Sequence, residues 1–293
     1  MNRIEIGDCR DTMRRWAQQS VKAQMCVTSP PYFGLRDYGH PGQIGLEPTP
    51  EAYIAAMVEV FRCVRDVLAD DGTLWLNIGD SYASNYGMGA NRASGWWSTK
   101  SGQLEGKGWG QVSTSIPPNS FRKSRPDGLK VKDLIGIPWM LAFALRADGW
   151  YLRQDIIWHK PNAPGEANNP GRFTKSHEHV FLLSKQQNYL FDDGAVREQG
   201  ATTERKMRDV WMVPTSRYKG LHSATFPPAL IEPCILAGSR PADTVLDPFM
   251  GSGTTAQVAQ QLGRQYIGCE LNPQYLSLRH ERTAQQALML EEA

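Results

Sequence analysis

The chain has the size and composition of a globular protein of one large domain or one and a half. It has 293 residues, of which 41% are hydrophobic and 21% charged. No apolar run approaches the roughly 20 residues that a membrane-spanning helix needs, and the strand-like pattern that starts at Arg3 leaves no room for a signal peptide. Its five cysteines form no CxxC pair, which favours reduced thiols in a cytoplasmic protein and argues against a disulfide framework.

Strand and helix patterns alternate up to residue 83. Strands are predicted at residues 3–8, 23–27 and 73–78, and a helix is predicted at 10–19. A second helix begins with the capping hydroxyl of Thr49 and a proline in its first turn, and Asp71-Gly72 is expected to end it.

Residues 84–130 interrupt this alternation. The segment is rich in Gly, Ser, Asn and Pro and carries three tryptophans, Trp96, Trp97 and Trp109. Although the net charge of the whole chain is only +2, residues 84–132 contain eight basic and two acidic side chains. Such a surplus is typical of a face that binds a polyanion, but it also fits a solvated flexible loop, and composition does not decide between them.

The second half returns to alternating elements. Helices are predicted at 138–146, 228–237, 255–262 and from Pro273, and strands at 151–159, 179–183, 244–246 and 266–269, whereas 186–221 shows no regular pattern. Together the elements predict an α/β fold with a doubly wound, mainly parallel sheet. Ligands of such sheets bind beyond the carboxyl ends of the strands.

A glycine-rich turn follows one of the predicted strands, in Asp247-Pro248-Phe249-Met250-Gly251-Ser252-Gly253-Thr254-Thr255. A turn of this kind between strand and helix is the usual seat of a nucleoside-containing cofactor. It matches neither the dinucleotide pattern nor the phosphate-binding loop, which requires a lysine. Glu270 ends the next strand, where an acid can accept hydrogen bonds from ribose hydroxyls. Alone, Glu270 would more often be a surface or capping acid.

A second motif, Thr28-Ser29-Pro30-Pro31-Tyr32, follows another buried strand. It offers a hydroxyl, a proline carbonyl and an aromatic ring, a set suited to a flat molecule that bears an amino group. Ser29 and the Pro30 carbonyl could each accept one N–H and align the nitrogen for in-line attack. Taken alone, the motif is more typical of a turn or a polyproline ligand.

Together the two motifs resemble those of the DNA amino-methyltransferases, and their order along the chain resembles the beta group of that family. The resemblance implies S-adenosylmethionine as cofactor, a circularly permuted methyltransferase fold, and a first strand that lies beside Tyr266–Cys269. It implies a catalytic set of Ser29, Pro30, Pro31 and Tyr32, with Tyr32 stacking on a base flipped out of double-stranded DNA. The cofactor-binding residues that it implies are Asp8, Cys9, Thr28, His222, Ser223, Phe226, Asp247, Pro248, Phe249, Gly251, Gly253, Thr254 and Glu270.

The target base is less tightly specified than the reaction. In the family, Ser at the first position of the catalytic motif favours cytosine N4, and Asp or Asn favours adenine N6; Ser29 therefore favours cytosine and leaves adenine open. A non-catalytic nucleic-acid-binding protein on the same fold is the rival from another class, and methylation of protein or RNA through a related turn is a third. Cys234 is placed wrongly for a carbon-5 enzyme. His177-Glu178-His179 is interpreted as structural or DNA-facing rather than as a metal site.

These interpretations give a single methyltransferase domain in four parts. The catalytic half comprises 1–83 and 131–185, the loop insertion 84–130, a short target-recognition region 186–221, and the cofactor half 222–293. Double-stranded DNA is the expected partner, and the sequence leaves homodimerisation open. A cytoplasmic protein of bacterial or phage origin is expected.

Overall fold

The computed structural model describes residues 2–83, 128–163, 171–200, 202–215 and 226–273. Most of the loop insertion, His222, Ser223 and the last predicted helix beyond Pro273 lie outside these residues. Among the described helices, none is both long and apolar enough to cross a membrane.

Strands and helices alternate as the sequence predicts, with small changes in their bounds. The first half contains β1 (Arg3–Ile6), α1 (Cys9–Gln18), β2 (Ala23–Thr28), α2 (Pro50–Val67) and β3 (Leu68–Ile78). The rest contains α3 (Ile137–Ala147), β4 (Tyr151–His159), β5 (His177–Ser184), β6 (Arg197–Gln199), β7 (Glu204–Lys206), β8 (Val210–Met212), α4 (Pro228–Gly238), β9 (Thr244–Asp247), α5 (Thr254–Gln261) and β10 (Gln265–Glu270).

Eight strands form one sheet in the order β1-β10-β9-β2-β3-β5-β4-β8. β5 is antiparallel to both of its neighbours, and every other pairing within this sheet is parallel. β1 pairs with β10, with Ile4 opposite Gly268. The predicted mainly parallel sheet and the predicted place of the first strand are therefore confirmed.

Two hydrophobic layers cover the faces of the sheet. Side chains alternate along β3, so that Leu74 and Leu76 face α1, α2 and α3, and Trp75 faces α4 and α5. Strands buried on both faces read as continuous apolar runs, which is what the sequence shows at β2 and β3. The rigid sheet fixes the positions of the turns at its carboxyl edge.

The end of α2 differs from the prediction. The Thr49 side chain accepts a hydrogen bond from the Ala52 amide, so the predicted cap is confirmed. The helix ends at Val67, however, and Asp71-Gly72 belongs to β3, where the register with β2 shifts between Ala23 and Met25. Gly72 permits this irregularity because a Cβ there would lie 2.9 Å from two backbone carbonyl oxygens. The strand therefore starts before the turn-like Asp-Gly pair that the sequence suggested as a stop.

The prediction that residues 186–221 lack regular structure was wrong for part of the segment. β6 and β7 form an antiparallel pair, and β8 extends the main sheet by pairing in parallel with β4. These strands have three residues each, and β7 is exposed at every position. Strands of three residues are too short to show the alternation by which a strand is recognised in a sequence, and β6 and β7 are also polar throughout.

Candidate active site

The singled-out turns meet at the carboxyl edge of the sheet. β2, β9 and β10 are consecutive parallel neighbours, and they end at Thr28, Asp247 and Glu270. β1 lies beyond β10 and leads into Asp8. The structure thus brings the serine-proline motif (residues 28–32) and the glycine turn (residues 247–255) to adjacent strand ends, although they are far apart in the sequence.

Asp247 joins the two motifs through buried hydrogen bonds. Its carboxylate accepts from the hydroxyl groups of Thr28 and Thr255, each at 2.6 Å, and from the Phe249 amide at 2.9 Å. The residue is only 2% exposed. Burial disfavours the charged form and raises the pKa of Asp247 to about 6, and the three donors oppose that shift.

The glycine turn holds its shape through its own backbone. The Met250 amide donates to the Cys269 carbonyl and the Gly253 amide to the Met250 carbonyl. Gly251 and Gly253 have φ values of +52° and +86°, which side-chain-bearing residues rarely adopt. Gly253 precedes the first residue of α5, so the turn delivers the chain into the amino end of that helix.

Glu270 fixes the turn from the neighbouring strand. Its carboxylate accepts hydrogen bonds from the Gly251 amide at 2.8 Å and from the Asn272 amide at 2.9 Å. Its backbone carbonyl accepts from the Gly7 amide at the end of β1. Glu270 therefore ties together the strand ends that surround the turn.

Asp8 and Cys9 begin α1 with different surroundings. Asp8 caps the helix by accepting from the Arg10 amide, and hydrogen bonds from the Arg10 guanidinium lower the pKa of the Asp8 carboxyl. Cys9 packs into the core on the α1 side of the sheet, and burial raises the pKa of its thiol to about 12. Asp8 lies at the edge of the candidate site, and Cys9 belongs to the hydrophobic core next to it.

The remaining predicted cofactor residues divide into three groups. Pro248, Phe249 and Thr254 lie in the glycine turn or at the start of α5, and Thr254 is buried. Phe226 is also buried, and packs with the hydrophobic cluster that contains α4. His222 and Ser223 lie outside the described residues.

The serine-proline motif forms a loop held from below. Pro30 is buried, and the hydroxyl of Tyr53 on α2 donates to the Pro31 carbonyl at 2.9 Å. Within the described part of the chain, no group donates to the Pro30 carbonyl. That carbonyl and the Ser29 hydroxyl are the acceptors that the sequence assigned to the substrate amine.

Tyr32 is anchored by its hydroxyl group. It donates to Glu178 Oε2 at 2.7 Å, and Asn77 Oδ1 lies 3.3 Å away. A Cβ on Gly79 would lie 2.8 Å from Tyr32 Cε2, so glycine is required for this close packing. Burial, and then the charge of Glu178, raise the pKa of Tyr32, so the phenol stays neutral.

Sequence reasoning missed the part that Glu178 and Asn77 have in this site. Asn77 interrupts the apolar run Leu74–Ile78 at the end of β3 and is 4% exposed, and a buried polar side chain of this kind signals a specific partner. Glu178 was grouped with its flanking histidines, of which His179 bonds Asp155 through Nδ1 at 2.9 Å. Among the described residues, no group of three or more His, Cys, Asp or Glu is arranged to hold a metal ion.

Comparison with known proteins identifies the family. A profile of the DNA methylase family matches residues 23–281. The chain belongs to that family. As a DNA methylase of the N6/N4 type it is an S-adenosylmethionine-dependent DNA amino-methyltransferase.

Curated DNA methylases match nearly the whole chain. The Type II methyltransferase M.SmaI of Serratia marcescens is 47% identical over 283 residues, which cover 96% of this chain and 90% of the relative. M.Cfr9I of Citrobacter freundii is 47% identical over 275 residues, covering 93% of this chain and 84% of that protein.

Solved structures share the fold. TTHA0409 of Thermus thermophilus, a putative DNA modification methylase complexed with S-adenosyl-L-methionine, has a TM-score of 0.63 at 25% identity and covers 97% of this chain and 94% of its own. PvuII DNA methyltransferase, described as cytosine-N4-specific, has a TM-score of 0.65 at 20% identity and covers 96% and 86%. At that identity the PvuII likeness concerns the fold alone.

The residues at the strand ends suit the cofactor of the family. S-adenosylmethionine carries a sulfonium and an ammonium group, and the acids Asp8, Asp247 and Glu270 all lie at this edge. Gly251 and Gly253 carry no side chains that would keep a ligand away from the turn backbone. The donor and acceptor chemistry of the edge therefore fits the cofactor.

Proposed function

We propose that this DNA methylase transfers a methyl group to the exocyclic N4 of cytosine in a site-specific manner. The observation that carries the proposal is Ser29, which occupies the first position of the catalytic loop at the end of β2, beside the strand that bears the cofactor turn. In the family this serine favours cytosine. PvuII DNA methyltransferase, a neighbour of the same fold, is described as cytosine-N4-specific, so this fold is compatible with the proposed reaction.

The chemistry requires an amine that is held and oriented. The lone pair of the cytosine amino group is delocalised into the ring, so the group is a weak nucleophile. Ser29 Oγ and the Pro30 carbonyl each accept one N–H, which pulls the nitrogen towards tetrahedral geometry and withdraws its lone pair from conjugation with the ring. Bound S-adenosylmethionine supplies the electrophilic methyl group.

The target base must leave the double helix to reach this loop. Tyr32 provides an aromatic ring whose hydroxyl is tethered below, and we propose that the base stacks on it. The target-recognition region is proposed at 186–221, where β8 forms one edge of the main sheet and β6 and β7 form a separate two-stranded sheet. Relatives that carry the name Type II methyltransferase support an association with restriction-modification.

The base assignment is tested by product analysis. Plasmid DNA from cells that express the protein is digested to nucleosides and analysed by mass spectrometry, beside DNA from cells that express the Ser29→Ala variant. N4-methylcytosine that depends on Ser29 is the expected result. N6-methyladenine alone would overturn the base assignment, and the absence of both methylated bases would favour a non-catalytic binding protein.

A further inference from the structure

A chain of hydrogen bonds leads from the catalytic serine into the sheet. Ser29 Oγ donates to Tyr32 Oη at 3.4 Å, and Tyr32 Oη donates to Glu178 Oε2 at 2.7 Å. The other oxygen of Glu178 forms an ion pair with Lys160. The first contact is longer than the usual 2.5–3.0 Å between hydroxyl groups, so it is the weakest step of the chain.

The groups around Tyr32 dictate the direction of these bonds. An ion-paired carboxylate only accepts, so Tyr32 must donate its single hydroxyl hydrogen towards Glu178. Asn77 donates through Nδ2 to Glu178 Oε2 at 3.3 Å and to the His179 carbonyl at 3.2 Å. This turns its own oxygen, another acceptor, towards Tyr32.

The direction at Tyr32 determines what Ser29 can offer. Because the hydrogen of the Tyr32 hydroxyl is directed towards acceptors, its oxygen receives the hydrogen of the Ser29 hydroxyl. The lone pairs of Ser29 are then left for an incoming N–H. A hydroxyl that could rotate would instead point its hydrogen at the amine in part of the population, and that orientation would oppose methyl transfer.

The inner part of the chain is held by packing. The side chains of Glu178 and Lys160 are each 17% exposed, and Lys160 Nζ lies 4.2 Å from the centre of the Trp158 ring. A Cβ on Gly79 would lie 3.1 Å from Glu178 Cδ, so the backbone of Gly79 packs closely against the Glu178 carboxylate. Glu178 therefore has little freedom to leave Tyr32.

We propose that Glu178 is a positioning residue that acts through Tyr32 to hold Ser29 as the hydrogen-bond acceptor of the target amine. The proposal rests on the proposed role of Ser29 in the methyl transfer. Glu178 does not touch the base, and its effect on the reaction passes through the direction of the hydroxyl groups.

Glu178→Gln is the informative substitution because it keeps the shape of the side chain and reverses the direction of its hydrogen bond with Tyr32. Lys160 can only donate, so it holds the amide oxygen of the glutamine and leaves the NH₂ group facing Tyr32. Tyr32 then accepts from this NH₂ group, which competes with the Ser29 hydrogen for the Tyr32 oxygen, and the hydrogen of Tyr32 keeps only the more distant Asn77 oxygen, 3.3 Å away. Turnover is expected to fall at least about tenfold, with the Kd for S-adenosylmethionine and the KM for DNA each within about twofold of wild type.

A double-mutant cycle with Tyr32→Phe separates this mechanism from a general loss of structure. Phenylalanine keeps the ring and removes the middle hydroxyl, so adding Glu178→Gln to it should change turnover by less than about twofold. Equal losses in both backgrounds would overturn the proposal. Asp70→Asn is the matched control, since it neutralises an acid paired with Lys185 near the start of β3, and should leave turnover unchanged.

Two further measurements keep the outcomes distinct. Thermal unfolding is recorded for each variant. If Glu178→Gln does not fold, Tyr32→Phe becomes the test, and wild-type turnover in Tyr32→Phe would overturn the proposal. The methylated base is identified in the same reactions. If the product is N6-methyladenine and the effects of Glu178→Gln and Tyr32→Phe are still coupled, only the cytosine assignment is wrong. If the product is N4-methylcytosine and the two effects are additive, only the role of Glu178 is wrong.

Discussion

The hydroxyl of Thr28 donates to Asp247 Oδ1 at 2.6 Å, across a separation of 219 residues in the chain. Thr28 immediately precedes Ser29, the proposed catalytic residue, and Asp247 begins the glycine turn. One buried hydrogen bond therefore sets the distance between the loop proposed to hold the amine and the turn proposed to hold the methyl donor. A displacement of either motif must be transmitted to the other.

Asp247 is expected to make stability depend on pH. Its pKa is about 6 in the folded state against 3.8 for the ordinary carboxyl, so the folded protein binds the proton more tightly. Its contribution to stability is fully present below about pH 4 and is lost as the pH rises through about 6, at up to about 1.4 kcal/mol per pH unit. Urea unfolding of the cofactor-free protein and of Asp247→Asn, from pH 4 to 8, measures it. Parallel curves would contradict the folded-state pKa.

Ser29→Ala is expected to abolish most of the turnover and to leave cofactor binding unchanged. In the proposed mechanism the hydroxyl accepts an N–H whose hydrogen bond strengthens as the amine becomes tetrahedral, so its loss acts mainly on the transition state. Removal of one such group costs roughly 10²-fold or more in turnover. Single-turnover methylation and equilibrium titration with S-adenosylmethionine measure the two quantities. Wild-type turnover in the variant would show that the proposed amine contact is wrong.

Glu270→Ala should act first on the cofactor. The substitution removes the acceptor of the Gly251 and Asn272 amides, so the turn loses its support from β10. We expect the Kd for S-adenosylmethionine to rise roughly tenfold or more, equivalent to about 1.4 kcal/mol. Turnover at saturating cofactor should change much less. Glu51→Ala, which removes an exposed acid in the first turn of α2, serves as the control and should leave the Kd unchanged.

Gly268→Ala is expected to destabilise the protein. A Cβ at this position would lie 2.3 Å from Met250 Cε and 2.9 Å from the Asp247 carbonyl oxygen. Met250 can move, but the backbone of the cofactor turn can do so only by distorting the site. We expect a loss of about 1–3 kcal/mol in urea unfolding. Gly194→Ala, in an exposed turn, is the comparison, and an equal effect in both would argue against a steric cause.

The insertion supplies a prediction that depends on sequence alone, because residues 84–127 lie outside the described part. Replacing Arg122, Lys123 and Arg125 with alanine should weaken DNA binding and reduce its salt dependence by a slope of roughly one per lost phosphate contact. The affinity for S-adenosylmethionine should not change. An unaltered salt slope would indicate that the segment does not contact phosphates.

Much of the fold follows from local signals. The bounds predicted for β4 agree with the structure, and the Thr49 cap was identified from three residues. Both signals depend only on residues that are close together in the sequence. β8 was missed because its single buried side chain, Trp211, gives no periodicity. The strand exists because β4 presents a free edge, a condition that depends on distant sequence.

The site, like the fold, was predictable where it depends on local sequence signals. Ser29 and Asp247 could be placed because each follows a buried strand, and parallel strands end at one edge. The contact of Glu178 with Tyr32 could not be foreseen, since it requires the antiparallel strand β5 to be placed beside β3. Whether Cys9, Thr28, Phe226 and the other predicted residues contact the cofactor stays a prediction.

The sheet order also determines when the site can form during folding. β2 lies between β3, which follows it closely in the chain, and β9, which is synthesised about two hundred residues later. The β2–β3 pair and the helices that cover it can assemble early, whereas the pairings of β1 with β10 and of β2 with β9 require very long loop closures, which are slow. In a nascent chain, Ser29 therefore lies beside an open strand edge until the last strands are synthesised, and only then can Thr28 bond Asp247. Exposed strand edges of this kind are prone to aggregation, so the yield of active enzyme should depend on how quickly those last strands are delivered.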